Sequence, residues 1–165
     1  MGSRKGIAVT MAILVGVVAA SFLVYLIPED TTMKITVSDF GKHLDITKER
    51  AMMESSGIDE SFKKLMKNDM SQDEYIRIAE VSSSQINSLI IELTNSGAPQ
   101  EWTESYANYI YALKKLNEMI TETIVVANLI DSNNNSDSIN EIIAKIHQLK
   151  TESLNLTEKS DAARP

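Results

Sequence analysis

The chain has 165 residues, with 16 Lys and Arg against 23 Asp and Glu, a net charge of −7, and no cysteine. The acidic balance argues against DNA or RNA as a partner, because phosphate binding needs a basic face. The lack of cysteine excludes a disulfide framework, a thiolate metal site and a cysteine nucleophile.

The first strong feature is Ile7 to Ile27, IAVTMAILVGVVAASFLVYLI, 21 residues without a charge. As a helix it would be about 31 Å long, close to the hydrocarbon thickness of a bilayer. The run is apolar on every face, so it is read as a single transmembrane helix. Arg4 and Lys5 precede it; Pro28, Glu29 and Asp30 follow it. Positive charge stays on the cytoplasmic side, so residues 1–6 are expected inside and the rest outside, with 7–27 as an uncleaved signal anchor in the cell membrane. Two rival readings stay open. Val18-Ala19-Ala20 before Ser21 fits a signal-peptide cleavage site, which would make the protein secreted. Arg4-Lys5-Gly6 before an apolar helix resembles an archaeal type IV prepilin signal, although Met11 stands where such signals commonly carry glutamate. Ala8, Ala12, Gly16 and Ala20 recur every four residues, a small-residue stripe that would let a partner helix or a second copy pack closely.

Residues 28–38 read as a spacer, since Pro28 stops the span. The 138 residues after Ile27 hold 14 Lys and Arg and 23 Asp and Glu, a balance of −9. That is enough chain for one modest core, and too acidic to lie flat on anionic lipid. From Ser38, a plausible N-cap, the pattern turns helical. Leu44, Ala51, Ile58 and Leu65 recur every seven residues, with Phe40 and Phe62 on the same broad face, predicting one helix over about 39–68 through Gly57. Ser71 and Glu74 form a capping box for a second helix over about 72–95. Its predicted stripe is Ile76, Ala79, Ser83, Ile86, Ile90 and Leu93, and Gly97 is placed for a left-handed C-cap. Pro99 opens a third helix over about 99–130, with Trp102, Tyr106, Tyr109, Leu113, Leu116, Ile120, Thr123, Ala127 and Ile130 in 3/4 alternation. The run 131–136 is a loop. Asp137 is a candidate cap for a fourth helix over about 137–157, striped by Ile139, Ile142, Ile146, Leu149, Ser153 and Leu156. Residues 159–165 are expected to be a disordered tail.

Four amphipathic helices joined by short turns must bury their stripes against one another. The expected fold is all-α: an N-terminal transmembrane helix, then an antiparallel up-down four-helix bundle over 39–158. A continuous coiled coil is the runner-up, interrupted by the turns. The stretches RKGIAVT, VSDFGKHLD, SSSQINSLIIEL and EWTESYANYIYALKKLNEMITETIVVANLI together resemble small membrane-anchored helical proteins of ammonia-oxidising archaea. The resemblance implies lineage and location, and no activity. Asn134-Asn135-Ser136 and Asn155-Leu156-Thr157 are N-glycosylation acceptor patterns that an exported domain could carry at Asn134 or Asn155.

Chemistry is harder to find. The histidines are His43 and His147. A di-iron bundle needs a glutamate three residues before each, where Phe40 and Ala144 stand. Asp39, His43 and Thr47 share a helix face, which is more often a surface contact than a ligand set. Met52, Met53, Met66 and Met70 suggest thioether copper ligation, or more plainly core filler. Ser82, Ser83 and Ser84 have no acid–histidine partners nearby. No catalytic residue, metal or cofactor is assigned, and the protein is expected not to be an enzyme. Trp102, Tyr106 and Tyr109 lie on the core stripe, whereas Tyr111 lies off it and is the better candidate for an interface ring. Two function classes follow. One is a structural or protein-interaction module that meets an envelope protein. The other is a small-ligand-binding or sensory bundle that works with a membrane partner and uses polar core positions such as Ser83, Thr123 and Ser153.

Overall fold

The computed structural model describes residues 37–130 and 136–165. The apolar run 7–27 with its Ala8-Ala12-Gly16-Ala20 stripe, most of the spacer, and Asn134 lie outside the described residues. Among those described, every regular element is helical, and no helix is long and apolar enough to cross a membrane.

Helix α1 is Phe40–Met66, unbroken at Gly57. Its cap is Asp39 rather than Ser38: the Asp39 carboxylate accepts from the Lys42 N–H at 2.9 Å, satisfying a donor that the first turn leaves free. The helix ends in a full Schellman turn, with Asn68 N–H on the Leu65 carbonyl and Asp69 N–H on the Lys64 carbonyl. Asn68 supplies the left-handed residue at φ 61°. Helix α2 is Gln72–Thr94, capped by Ser71 on the Glu74 N–H as the capping box predicts. Gly97, at φ +64°, turns the chain two residues past the C-cap Asn95. Pro99 then leads a 3-10 turn, Gln100–Trp102, before helix α3 begins at Thr103 and runs to Ile130. Helix α4 is Ser136–Ala162, with Asp137 inside its first turn.

Contacts between helices fix the topology. Near the first turn Phe62 and Tyr75 pack at 5.7 Å between ring centroids, and at the far end His43 reaches Glu92, so α1 and α2 are antiparallel. Tyr75 to Thr123 and Asn117 to Asn87 set α2 against α3. Ser105 to Ser160, Ser153 to Ala112 and Lys145 to Glu122 set α3 against α4. Lys48 to Asp161 and Lys150 to Asp59 return α4 to α1. The described part is an up-down-up-down four-helix bundle in which ion pairs join α1 and α4.

The core follows the predicted stripes with one shift and one addition. Leu44, Ala51, Ile58 and Leu65 are all buried. On α2 the buried register is Tyr75, Ala79, Ser82, Ile86, Leu89 and Leu93. Ile76, Ser83 and Ile90 sit one residue off it and are half-buried. The register turns on polar side chains with inward partners: the Tyr75 hydroxyl donates to Thr123 Oγ1 at 2.5 Å, and Ser82 donates to Glu54 at 2.7 Å. Helix α3 buries a second seven-residue series, Ser105, Ala112, Met119 and Val126, beside the predicted one. Two of its members are small, which lets α4 approach.

The tail is not disordered. Helix α4 continues to Ala162, and Ser160 is fully buried, accepting from the Ser105 hydroxyl at 2.7 Å through its carbonyl. Arg164 pairs with Asp45 at 2.5 Å and Asp161 at 3.0 Å. These polar partners lie far away in sequence, which is why local composition reads the end as frayed.

Candidate functional site

The seam between α1 and α4 carries a groove. There α1 presents Lys48, Met52, Ser55, Ser56 and Asp59, and α4 presents Lys150, Ser153, Leu154, Thr157 and Asp161. Apart from Met52 and Leu154 these are hydroxylated or charged side chains, and they do not interdigitate as a heptad seam does. They leave a cavity of about 400 Å³ floored by Tyr109, Ala112, Leu113 and Leu116 of α3, with Ala51 on its α1 wall.

Two ion pairs cross this groove. Lys48 Nζ meets Asp161 at 2.5 Å, and Lys150 meets Asp59. Lys48 and Asp59 are separated by 11 residues of α1, or about 16 Å at the helical rise, so the straps mark out a slot of that length. Lys48 also stands 5.2 Å from the centre of the Tyr109 ring. Burial lifts the Tyr109 hydroxyl well above the ordinary tyrosine range, with nearby Asp161 adding to it, so the floor ring is a neutral phenol. On the α4 wall the hydroxyl protons are already used: Ser153 donates to the Ala112 carbonyl at 2.9 Å and Thr157 to the Ser153 carbonyl at 2.9 Å. That wall therefore behaves as less polar than its composition suggests. Met52 and Leu154 stand at the lips, 68% and 58% exposed.

A second cluster lies at the end of the bundle where α1 begins. His43 is wedged between α2 and α3, with Nδ1 2.9 Å from the Tyr106 hydroxyl and Nε2 3.0 Å from Glu92. Arg50 holds the other Glu92 oxygen at 2.8 Å. Burial raises the Glu92 carboxyl, but hydrogen bonds from Arg50 and His43 outweigh it and hold the group below the ordinary glutamate value. Tyr106 donates to the Phe40 carbonyl at 3.0 Å; burial, with Asp39 and Glu92 nearby, pushes its hydroxyl up to about 12 against a pull down from Arg164. Gly41 completes this end, since a Cβ there would sit 3.3 Å from Trp102.

The residues singled out from sequence distribute unevenly. His43 is in the polar cluster, and His147 is exposed on α4. Asp39 is spent on capping, and Thr47 is fully buried, donating to the His43 carbonyl. Among the described residues no group of three or more His, Asp or Glu is placed to hold a metal. Met52, Met53 and Met66 are exposed rather than core filler, and 13 residues of helix, about 20 Å, separate Met53 from Met66, so the four cannot share an ion. Of the proposed polar core positions, Ser153 lines the groove, Thr123 is tied to Tyr75, and Ser83 is half-buried away from both. Ser82, not Ser83, carries the inward hydrogen bond. Tyr106 and Tyr109 are buried, Trp102 is half-buried, and Tyr111 is 57% exposed. Asn155 is exposed in the middle of α4. The groove residues on α1 and α4 were missed. The available signal was a mainly hydroxylated and charged flank on each helix, Lys48, Ser55, Ser56 and Asp59 on α1 and Lys150, Ser153, Thr157 and Asp161 on α4.

No protein-family model matches the chain, and neither does any curated protein or solved structure.

Proposed function

We propose that the protein is a membrane-tethered binding module whose extracytoplasmic bundle takes a small ligand in the α1–α4 groove and works with a membrane partner. The groove carries this reading. It lies within the size range of ligand pockets and sits between bundle helices, and its floor is apolar with a few polar groups around it. Tethering rests on the sequence of residues 7–27. A partner helix or a second copy packed on the Ala8-Ala12-Gly16-Ala20 stripe would carry any signal across the membrane. The likeness to small membrane-anchored archaeal proteins belongs to the same proposal, as does the absence of enzymatic chemistry.

The test uses the full chain in lipid nanodiscs, screened against a metabolite library. A ligand should raise the melting temperature by several degrees and slow amide exchange in peptides 48–59 and 150–161. If every stabilising compound protects some other surface, the groove reading is lost. Protease added outside intact cells should digest the domain beyond residue 30, and N-terminal sequencing separates a start at Met1 or Gly2 from one at Ile7 or Ser21.

A purely structural or interaction role is the second reading, supported by the outer face of α2. From Val81 to Gly97 the only charge is Glu92, which is turned to His43 and Arg50. Val81 and Ile91 are 57% and 60% exposed. On an acidic bundle this face lacks like-charge repulsion, so a second copy is the fitting occupant. Crosslinking from Ser84→Cys, the chain's sole cysteine, should trap a dimer in membranes; a monomer throughout removes this reading.

A further inference from the structure

Building on the ligand-binding reading above, we infer that the groove accepts an amphipathic carboxylate, with its head on Lys48 and its apolar tail along Tyr109, Leu113 and Leu116. The two straps are unlike each other. At one end Lys48 is the enclosed member, its side chain 14% exposed against 52% for Asp161. Asp161 has a second cation in Arg164 at 3.0 Å. An incoming anion can therefore take Lys48 while Asp161 keeps a partner, and no charge is left stranded. At the other end Lys150 and Asp59 are evenly exposed, 40% and 36%, and simply close the slot. An exchange at Lys48 is thus the less costly of the two.

The rest of the groove selects the tail. Its floor is a neutral phenol ring, two leucines and an alanine, and the α4 hydroxyls spend their protons on backbone carbonyls. A sugar or nucleotide would find few donors there and would lose hydration without replacement. An aliphatic chain loses nothing and covers the floor. A cationic head is disfavoured because it would enter beside the enclosed Lys48 ammonium.

The test is site-mapped photolabelling of the full chain in lipid nanodiscs with a diazirine-bearing decanoate, beside probes of the same tail ending in trimethylammonium or in an alcohol. The carboxylate should label peptides holding Met52 and Leu154. Losing a charge-assisted contact should cut that labelling about tenfold or more in Lys48→Met. Lys63→Met, an exposed lysine of α1 outside the groove, should leave it largely intact, and Ser56→Trp, a change on an exposed lip residue, should block it while melting temperature and helix content hold. Undiminished labelling in Lys48→Met, or no groove labelling by the carboxylate, overturns the inference. If the ammonium or alcohol probe labels the groove as strongly, the carboxylate assignment fails while the ligand-binding reading survives. If no probe labels the groove, the carboxylate inference falls and the metabolite screen decides the broader reading.

Discussion

The α2–α3 seam and the α1–α4 seam belong to one bundle and are built in opposite ways. Helices α2 and α3 bury Tyr75, Ile86, Leu89, Met119 and Ile120 in the core. The Tyr75–Thr123 pair between them is fully enclosed, and Asn117 donates to Asn87 at the exposed edge. Between α1 and α4 the facing positions are mostly hydroxyls and charges, with Met52 and Leu154 at the lips, and the helices are joined by ion pairs over a groove. The first seam can supply stability, since burying a large apolar side chain contributes about 1.5–3 kcal/mol. Partly exposed ion pairs contribute about 0–1 kcal/mol each. The bundle thus has its groove at the seam where an incomplete fit costs the least stability.

The strongest way to break that contrast is to truncate one residue from each seam. Tyr75→Ala removes a fully buried ring and should cost about 3–5 kcal/mol. Leu154→Ala, at the groove lip, should change stability by about 0.5 kcal/mol or less. Chemical denaturation of both variants checks this; comparable losses would mean that the α1–α4 seam is packed as tightly as the other.

A finer probe separates the Tyr75 ring from its hydroxyl. Tyr75→Phe keeps the ring and leaves Thr123 Oγ1 without its donor, for a loss of about 1 kcal/mol at neutral pH. The same hydroxyl shapes the alkaline limb of stability. Burial pushes it up to about 12 from an ordinary 10.0, so the folded state holds a proton that the unfolded state releases first. That contribution is intact below pH 10 and fades as pH rises toward 12. Wild type should lose stability steeply over this window and Tyr75→Phe less steeply, as followed by denaturation at stepped pH. Glu92 acts at the other extreme. Held below its ordinary value of 4.5, it stabilises the fold above that pH and stops doing so as pH falls further. Glu92→Gln should flatten the acid limb.

How much of this was legible beforehand depended on residue size. Leu44, Ala51, Ile58 and Leu65 announced α1 because large apolar residues at seven-residue spacing have one reading, and Ser71 with Glu74 announced the start of α2 by local chemistry. On α2 Ala79, Ile86 and Leu93 are buried as predicted, but Ile76 and Ser83 stand one position off Tyr75 and Ser82, which count as polar in a pattern and become core only through Thr123 and Glu54 on other helices. Ser105 and Ala112 were missed as an α3–α4 contact for the same reason. The groove was missed because its two flanks are paired only through Lys48 with Asp161 and Lys150 with Asp59, partners 113 and 91 residues apart. The His43 cluster draws its partners from 49 and 63 residues away, and no local spacing encodes that.

A smaller effect tests α1 where it faces neither seam. Nothing lies within 4 Å of a Cβ added at Gly57, and the backbone there is regular helix. Gly57→Ala should stabilise by about 0.5–1 kcal/mol through helix propensity alone. A gain of that size, with groove exchange rates unchanged, would show that α1 can be stiffened without touching the open seam.

The smallest expected effect bears most directly on how that seam is held. Asp59→Asn removes the charge from the far strap while keeping its shape. Both partners are more than a third exposed, so the pair should be worth about 0–1 kcal/mol and less at high salt. Global stability should therefore barely move. Local opening is another matter, because few apolar contacts back up the strap at its end of the groove. Amide exchange in peptides around 52–59 and 150–154 should quicken in the variant at low salt, and the difference should shrink in 1 M salt, where the Debye length is about 3 Å. If exchange there is unchanged while stability falls by several kcal/mol, the ion pair is part of the core and the two seams are not the opposites described above.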